Sequence, residues 1–287
     1  MCRLLSSLIA AGVVIPLSLS CAAPELYVLV PAGSERLVGG QGYNLYSGAT
    51  WQPLLAVVAD VDGELNVQAD LLQISTSLAV PVRKDIPVAE RLQVAAGQPK
   101  SIEFKLEIPN VKSVASFLLR LRWSQSDKRG VFRDSLAITV YPPRTSCLEE
   151  TAKLVAALGQ RKGGRVTVFG AENAFRGFLA ESHAEYEDLG ESVPDRWEPD
   201  CFYLGSGSLR EIEEVFEGRH GRLPDRPCLA MLVRDLPDLL PGVYSSTGAP
   251  AGAVLEKVNL PGLKQLNDPG AHATVNRLLS SWLNRMP

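Results

Sequence analysis

The sequence has few of the residues that build metal centres and redox sites. Its 287 residues include three histidines and five cysteines, and no two cysteines have the C-x-x-C spacing of a thioredoxin dithiol or a zinc site. Basic residues are not in excess, because Lys and Arg number 29 against 32 Asp and Glu. A chain without an excess of positive charge is poorly suited to binding nucleic acid. We therefore expect no metal, no cofactor and no nucleic-acid partner.

Biased or repetitive composition is also missing. Hydrophobic residues make up 46% of the chain and charged residues 21%, as in ordinary globular proteins. This excludes wholesale disorder, a collagen repeat and a small disulfide-dense scaffold. The length is sufficient for two domains that each bury a core.

The N-terminus has the pattern of an export signal. Arg3 precedes an apolar segment over residues 4–20, and the small residues of 20–23 follow it. This arrangement is typical of a secretory signal peptide, which we place at residues 1–22. The alternative is a retained N-terminal anchor. The first interpretation predicts an exported protein.

Cys21 raises the question of a lipid anchor. A cysteine directly after an apolar segment resembles the bacterial lipobox, although Ser18 stands where that motif has an aliphatic residue. Two mature forms follow: a periplasmic or surface lipoprotein acylated at Cys21, or a soluble protein cleaved after Ala22.

Residues 24–141 have the pattern of a β-sandwich. Apolar and charged residues alternate over 102–108 and again over 117–123, which predicts strands with one solvated face. The further strands that we predict are 26–30, 54–60, 65–74, 91–95 and 131–140. Asp62-Gly63 predicts a tight hairpin turn. About seven short strands without a helix favour a sandwich of two antiparallel sheets.

The middle of this region is similar to a known family. Residues 92–109, followed by 117–123, resemble the central strands of bacterial immunoglobulin-like domains of envelope proteins. The resemblance implies an immunoglobulin-like fold.

A proline-containing linker at 142–145 separates this region from a different pattern over 146–287. Ser146 is placed to cap a helix that glycines end at 163–164. Apolar strands at 165–170, 186–189, 201–205, 228–233 and 252–258 then alternate with helices at 172–181, 209–217 and 271–283. Such alternation predicts an open, mostly parallel sheet with helices on both faces, of the Rossmann or flavodoxin type. The net acidic charge belongs to this region.

The second region resembles the class I glutamine amidotransferase-like fold. The similar segments are 164–170, 202–207, 267–270 and 276–283. The G-x-C-x-G motif of that family does not occur around any cysteine here, and the one His-x-Glu, at 183–185, comes early in the domain. The resemblance therefore implies a relative without the catalytic motif.

Two glycine-containing loops are candidates for an anion site. In parallel sheets, ligands bind beyond the carboxyl ends of the strands. Gly170 ends one predicted strand, and Gly205-Ser206-Gly207-Ser208 ends another before a helix. Their amides could hold a small anion, or the loops could be ordinary turns.

A hydrolase site is a further alternative. Ser206 or Ser208 could act as a nucleophile with His272, although the G-x-S-x-G spacing of a nucleophile elbow is not met.

Three cysteines lie outside the export signal, and two of them could pair. Cys201 and Cys228 each begin a predicted strand, so neighbouring strands would bring their thiols to one edge of the sheet. An oxidising compartment could join them. The alternative is that these two and Cys147 are buried thiols that act as small apolar side chains.

These observations favour an exported cell-envelope protein that acts as a non-catalytic binding or assembly module. We expect envelope protein partners, and contact with a membrane only through a lipid at Cys21. The alternatives are the periplasmic hydrolase and a sensor of small anions.

Overall fold

A computed structural model describes residues 25–29, 42–125, 128–132, 135–161, 164–170, 174–198, 200–206, 210–216, 219, 228–234, 242–247, 254–259 and 269–285. The predicted signal segment, Cys21, Gly207 and Ser208 lie outside these residues. The chain is rich in strands, with fewer helices and several sheets, one of them mainly parallel. The prediction of a mixed β and α/β chain is confirmed at that level. None of the described helices is long and apolar enough to span a membrane.

The described residues fall into two compact units. Unit 1 takes in 25–29, 48–109 and 115–139, and unit 2 takes in 42–47, 110–114 and the residues from 140 onward. Unit 2 thus includes two short segments from the region whose pattern is that of a sandwich.

The first part of the chain consists of strands. They are β1 (Glu25–Leu29), β2 (Tyr43–Tyr46), β3 (Thr50–Trp51), β4 (Leu54–Val58), β5 (Gly63–Ile74), β6 (Ala79–Val94), β7 (Pro99–Glu103), β8 (Leu106–Glu107), β9 (Ala115–Gln125), β10 (Lys128–Val131) and β11 (Leu136–Tyr141). In unit 1 one sheet has the order β1-β4-β7, another contains the order β11-β9-β5-β6 with β10 beside β9, and β3 pairs with β8.

Strand β9 shows how the alternating pattern builds the core. Phe117, Leu119 and Leu121 are buried, while the residues between them are partly exposed. A strand directs successive side chains to opposite faces, so one face of β9 joins the core. The predicted strand over 117–123 is confirmed.

Two predicted features of unit 1 are wrong in detail. The alternating stretch 102–108 is two strands, because β7 pairs with β4 and β8 pairs with β3. Asp62-Gly63 is not a hairpin turn, since β4 and β5 belong to different sheets. Asp62 instead accepts a hydrogen bond from the amide of Ala96 at 2.7 Å.

Strand β6 is much longer than the predicted strand at 91–95. Pro81 and Pro87 lie within it, and proline argues against a central strand because it cannot donate to a neighbour. The structure resolves the conflict by placing β6 at the edge of its sheet. Two residues with positive φ, Asp85 and Arg91, lie along it.

A buried carboxylate anchors this edge strand. Asp70 on β5 accepts the amide hydrogen of Asp85 at 3.1 Å and pairs with Arg120 and Arg122 of β9 at 2.9 Å each. Burial alone would raise the pKa of Asp70, but Arg120, the Asp85 amide and Arg122 together hold it below its usual value. One side chain therefore ties three strands together.

The rest of the chain alternates helices and strands. The helices are α1 (Arg144–Gly159), α2 (Ala174–Glu181), α3 (Arg210–Phe216) and α4 (Pro269–Arg285), and the strands are β12 (Arg165–Phe169), β13 (Glu187–Asp188), β14 (Cys201–Ser206), β15 (Leu229–Arg234), β16 (Gly242–Thr247) and β17 (Val254–Asn259). Helix α1 begins two residues before the predicted cap Ser146. Pro143 is at its N-cap.

The sheet of unit 2 has the order β13-β12-β14-β15-β17-β16. All neighbours are parallel except β16, which is antiparallel to β17. The sequence prediction missed β16 because its serines and threonine form no apolar run.

Two apolar clusters cover the two opposite faces of this sheet. Phe202 and Leu229 pack into one cluster with residues of α1, α2 and α4. Tyr203 and Ala230, the next residues along the same strands, pack into the other cluster with residues of α3. The strands are apolar on both sides because each face is covered.

Candidate functional site

Helices α1 and α4 of unit 2 border an open cleft of about 450 Å³. This volume lies within the range of small-molecule sites. The cleft is lined by residues from both helices, from the short segment 110–114 and from the end of β11 with the residue after it: Lys112, Val114, Tyr141, Pro142, Ser146, Cys147, Glu150, Pro269, Ala273, Asn276, Arg277 and Ser280.

Asn276 holds the two walls of the cleft together. Its side chain is only 3% exposed. The hydroxyl of Thr151 donates to Oδ1 of Asn276 at 2.6 Å, and Nδ2 of Asn276 donates to the carbonyl oxygen of Cys147 at 3.1 Å. A buried amide must satisfy both its donor and its acceptor, and Asn276 does so by joining α4 to α1.

The thiol of Cys147 lies on the α1 wall, 3.5 Å from Nδ2 of Asn276. Burial, followed by the nearby charge of Glu150, raises the pKa of Cys147 to about 11. The side chain is therefore a neutral thiol at physiological pH. Because nucleophilic cysteines act as thiolates, Cys147 contributes shape and weak hydrogen bonding to the cleft.

Charged and hydroxyl groups line the cleft together with the neutral Cys147 thiol. Lys112 and Arg277 bring positive charge to the lining, and Glu150 brings negative charge. The hydroxyls of Ser146 and Ser280 line it as well. Such a lining can hold a carboxylate and a hydrogen-bond donor of one ligand at the same time.

His272, a predicted catalytic residue, lies one helical turn before Asn276 on α4 and is completely buried. Its ring stacks on Phe178 of α2, with centroids 4.1 Å apart and planes inclined by 12°. Nδ1 of His272 hydrogen-bonds to the hydroxyl of Tyr46. These contacts hold β2, α2 and α4 together, which gives His272 a packing role.

An ion pair beside this cluster ties the start of α1 to the end of α2. The guanidinium Nε of Arg144 donates to Glu181 at 2.9 Å. That hydrogen bond outweighs partial burial and lowers the pKa of Glu181, and the charge of Arg144 adds to the effect.

The predicted partners of His272 have no described side chains. Ser206 is the last residue of β14, where only its backbone is described, and Ser208 lies outside the described residues. The Ser–His site therefore stays a prediction.

The predicted anion loops are described only in part. Gly170 follows β12 with a φ of 102°, and its amide donates to the carbonyl oxygen of Gly190 at 2.8 Å. That amide is already used within the fold. Gly205 is buried within β14, opposite Phe169 of β12, and Gly207 and Ser208 lie outside the described residues.

The remaining predicted site residues are cysteines. Cys201 begins β14 and Cys228 precedes β15; both are buried, and the structure describes them as thiols. In the described part of the chain, no three His, Cys, Asp or Glu side chains are grouped in a way that could hold a metal ion.

Sequence reasoning missed the cleft, although one signal was present. His272, Val275, Asn276 and Leu279 recur at helical spacing, so two polar side chains stand on the apolar stripe of α4. Buried polar side chains need partners, and this interruption of the stripe marks where α4 meets polar groups of other elements.

Comparisons with known proteins leave the family open. No family model and no curated protein matches the sequence. Similar solved structures include a Niemann-Pick type C2 protein from Japanese carpenter ant, at 9% identity and a TM-score of 0.28, covering 42% of this chain and 89% of that one.

Two further structures are equally distant. A β-glucosidase from Listeria innocua is 18% identical, with a TM-score of 0.25, over 42% of this chain and 16% of that one. A chaperone–tip adhesion subunit pre-assembly complex from archaic Csu pili of Acinetobacter baumannii is 12% identical, with a TM-score of 0.27, over 42% and 57%. Such similarities indicate neither a family nor a function.

Proposed function

We propose that this chain is an exported cell-envelope protein that acts as a non-catalytic binding or assembly module. In this proposal residues 24–141 form an immunoglobulin-like sandwich, and residues 146–287 form a flavodoxin-like domain similar to class I glutamine amidotransferases without their catalytic motif. The N-terminal apolar segment after Arg3 supports export. The mature form begins near Cys21 or Ala23.

The cleft between α1 and α4 is the observation that carries the binding function. It combines a volume of about 450 Å³ with charges of both signs and two hydroxyls. Its walls are held by the buried Asn276 bonds rather than by a ligand. A preformed site loses little conformational entropy when it binds.

The chemistry of the cleft favours binding over catalysis. Its sulfur nucleophile is kept protonated, because burial raises the pKa of Cys147 to about 11. Among the described residues that line the cleft there is no histidine, so none of them is a general base of the usual kind for the thiol.

The charges indicate what the cleft would recognise. Lys112 and Arg277 together exceed the single charge of Glu150, so a ligand with a net negative charge is favoured. A segment of a partner envelope protein can offer a carboxylate to the two cations and a backbone amide to Glu150. We therefore assign the cleft to an acidic peptide segment of such a partner.

A capture experiment tests the proposal. The tagged protein is incubated with envelope extract of the organism that encodes it, and bound proteins are identified by mass spectrometry. Ser280→Trp fills the cleft, whereas Lys153→Trp adds the same side chain at an exposed position of α1 outside the lining. We expect one reproducible set of partners with the wild type and the Lys153 variant, and its loss with the Ser280 variant.

Either of two results would contradict the proposal. Capture that is unchanged in the Ser280 variant would place binding elsewhere. Turnover of an ester, amide or phosphoester substrate that disappears in a Ser206→Ala/Ser208→Ala variant would show that the protein is an enzyme.

A further inference from the structure

Two cysteines of unit 2 lie side by side on neighbouring strands. Strands β14 and β15 are parallel, and their first aligned pair is Phe202 with Leu229. One residue earlier on each strand are Cys201 and Cys228. The same register therefore sets these two cysteines opposite each other.

Their side chains point to the same face of the sheet. Phe202 and Leu229 belong to one apolar cluster, whereas Cys201 and Cys228 both belong to the other. Both thiols are completely buried there. Neighbouring strands are separated by about 4.8 Å, and disulfides join residues whose Cα atoms are roughly 4.4–6.8 Å apart. The spacing suits a disulfide without a movement of the backbone.

The electrostatics of the pair agree with this proximity. Burial, followed by the charge of Cys201, raises the pKa of Cys228 to about 12. Burial also raises the pKa of Cys201, although the guanidinium of Arg165 hydrogen-bonds to that thiol and opposes the rise. Cys201 is thus close enough to Cys228 to affect the ionisation of its thiol.

Backbone hydrogen bonds hold both positions. Cys201 is aligned with Arg165 on β12, on the side of β14 away from β15. The carbonyl oxygen of Cys228 accepts the amide hydrogen of Val254, which begins β17, at 2.9 Å. The two cysteines are therefore set in register by strands on both sides.

We propose that Cys201 and Cys228 are joined by a disulfide when the protein folds under oxidising conditions. Each thiol gives up its proton, one Sγ–Sγ bond forms, and the electron pair passes to a disulfide oxidant, which leaves as two thiols. Oxidised glutathione or the oxidised dithiol of an exported oxidase is the class of oxidant required. The cross-link then closes the segment that contains α3.

The timing of the reaction follows from the burial of the thiols. The attacking species is a thiolate, and the folded protein suppresses both thiolates. Exchange is therefore faster before the two thiols are buried, and their burial in the folded protein protects the bond from reductants. Cys147, on α1, stays a thiol and serves as an internal control.

Peptide mapping tests the disulfide directly. The full chain is refolded with a mixture of reduced and oxidised glutathione, and separately with excess dithiothreitol. Remaining thiols are alkylated in denaturant before trypsin digestion without reduction.

Trypsin leaves Cys201 in peptide 197–210 and Cys228 in peptide 223–234, because the bond before Pro227 resists cleavage. We expect these peptides to be linked, two hydrogens lighter than their sum, only in the glutathione sample.

Variants control for misassignment. The linked peptide should persist in Cys147→Ser and disappear in Cys201→Ser and in Cys228→Ser. The wild-type map decides the question even if the last two variants fold poorly. Alkylated Cys201 and Cys228 in the glutathione sample, or a link from either one to any of the other three cysteines of the full chain, would overturn the proposal.

Stability gives an independent measurement. Because a cross-link restricts the unfolded chain, the oxidised wild type should unfold at a urea midpoint about 1 M above that of the reduced protein. Cys228→Ser should show the same midpoint under both conditions. Equal midpoints for oxidised and reduced wild type would contradict the cross-link.

Discussion

Replacing Asn276 by alanine should loosen the cleft between α1 and α4. Asn276 accepts a hydrogen bond from Thr151 at 2.6 Å and donates one to the carbonyl oxygen of Cys147 at 3.1 Å. Asn276→Ala removes both of these bonds, together with two longer contacts of Nδ2, at 3.5 Å each, to the Cys147 thiol and the Glu150 carboxylate. The Thr151 hydroxyl retains the Cys147 carbonyl oxygen, 3.0 Å away within α1, so neither of these groups is left without a partner.

The expected magnitude follows from these losses. Two hydrogen bonds contribute about 1 kcal/mol each, net of water, and the missing amide leaves a small cavity that costs about 1 kcal/mol more. The free energy of opening α1 from α4 should therefore fall by about 2–3 kcal/mol, which accelerates amide hydrogen exchange roughly 30- to 150-fold.

Hydrogen exchange measured by mass spectrometry on peptides of α1 and α4 is the assay. Lys153→Ala is the matched control, because Lys153 is exposed on α1 and such changes usually stay within about 0.5 kcal/mol. Thr151→Val removes the same interhelical bond from the other side. The double variant should therefore lose about 1 kcal/mol less than the sum of the single variants.

The reasoning would be refuted by a small effect. If exchange in Asn276→Ala is no faster than in Lys153→Ala, the buried amide does not hold the cleft. If the two single effects are additive, Asn276 and Thr151 do not stabilise each other. Faster exchange confined to peptides of unit 1 would also contradict the assignment.

Three further predictions concern ionisation and packing. Although burial opposes them, ion pairs with two arginines hold the pKa of Asp70 below its usual value. The stability that Asp70 contributes is therefore present above about pH 4 and is lost as the pH falls. On acidification, the urea midpoint of Asp70→Asn should fall less than that of the wild type, and an identical fall in both proteins would refute this. Alkylation of Cys147 in the folded protein should speed up about tenfold per pH unit towards a pKa of about 11, whereas a plateau near pH 9 would show an ordinary thiol. Gly130→Ala should lower the free energy of urea unfolding by about 1–3 kcal/mol, because its Cβ would lie 2.8 Å from the Trp123 ring. Gly177→Ala has open space around it and should stabilise helix α2 by about 0.5–1 kcal/mol. Equal effects of the two substitutions would contradict the packing argument.

Local patterns were sufficient for much of the fold. The alternation over 117–123 predicts β9, because a half-buried strand must alternate its side chains. The apolar runs from Cys201 and after Cys228 predict two strands of a parallel sheet, and the structure pairs them directly as β14 and β15. The predicted helices at 172–181 and 271–283 correspond to α2 and α4 within a few residues.

Other elements depended on tertiary context. The prolines of β6 argue against a strand, because a proline has no amide hydrogen to donate to a neighbouring strand. At the edge of a sheet that hydrogen bond is not needed, and β6 is an edge strand. Strand β16 has a polar sequence and exists through its pairing with β17. The alternation over 102–108 does not reveal that the chain passes from one sheet to another after β7.

The sequence by itself determined many of the local elements, the scarcity of metal-binding residues and the pattern of an export signal, because these depend on composition and on neighbours along the chain. Only the tertiary structure brought Cys147 on α1 against Asn276 on α4 and so formed the cleft. It also placed His272 between Phe178 and Tyr46, in a packed interior. The physical reason is that a cleft and a buried hydrogen bond join residues far apart in the chain, and no local periodicity records which distant side chain will satisfy a buried polar group.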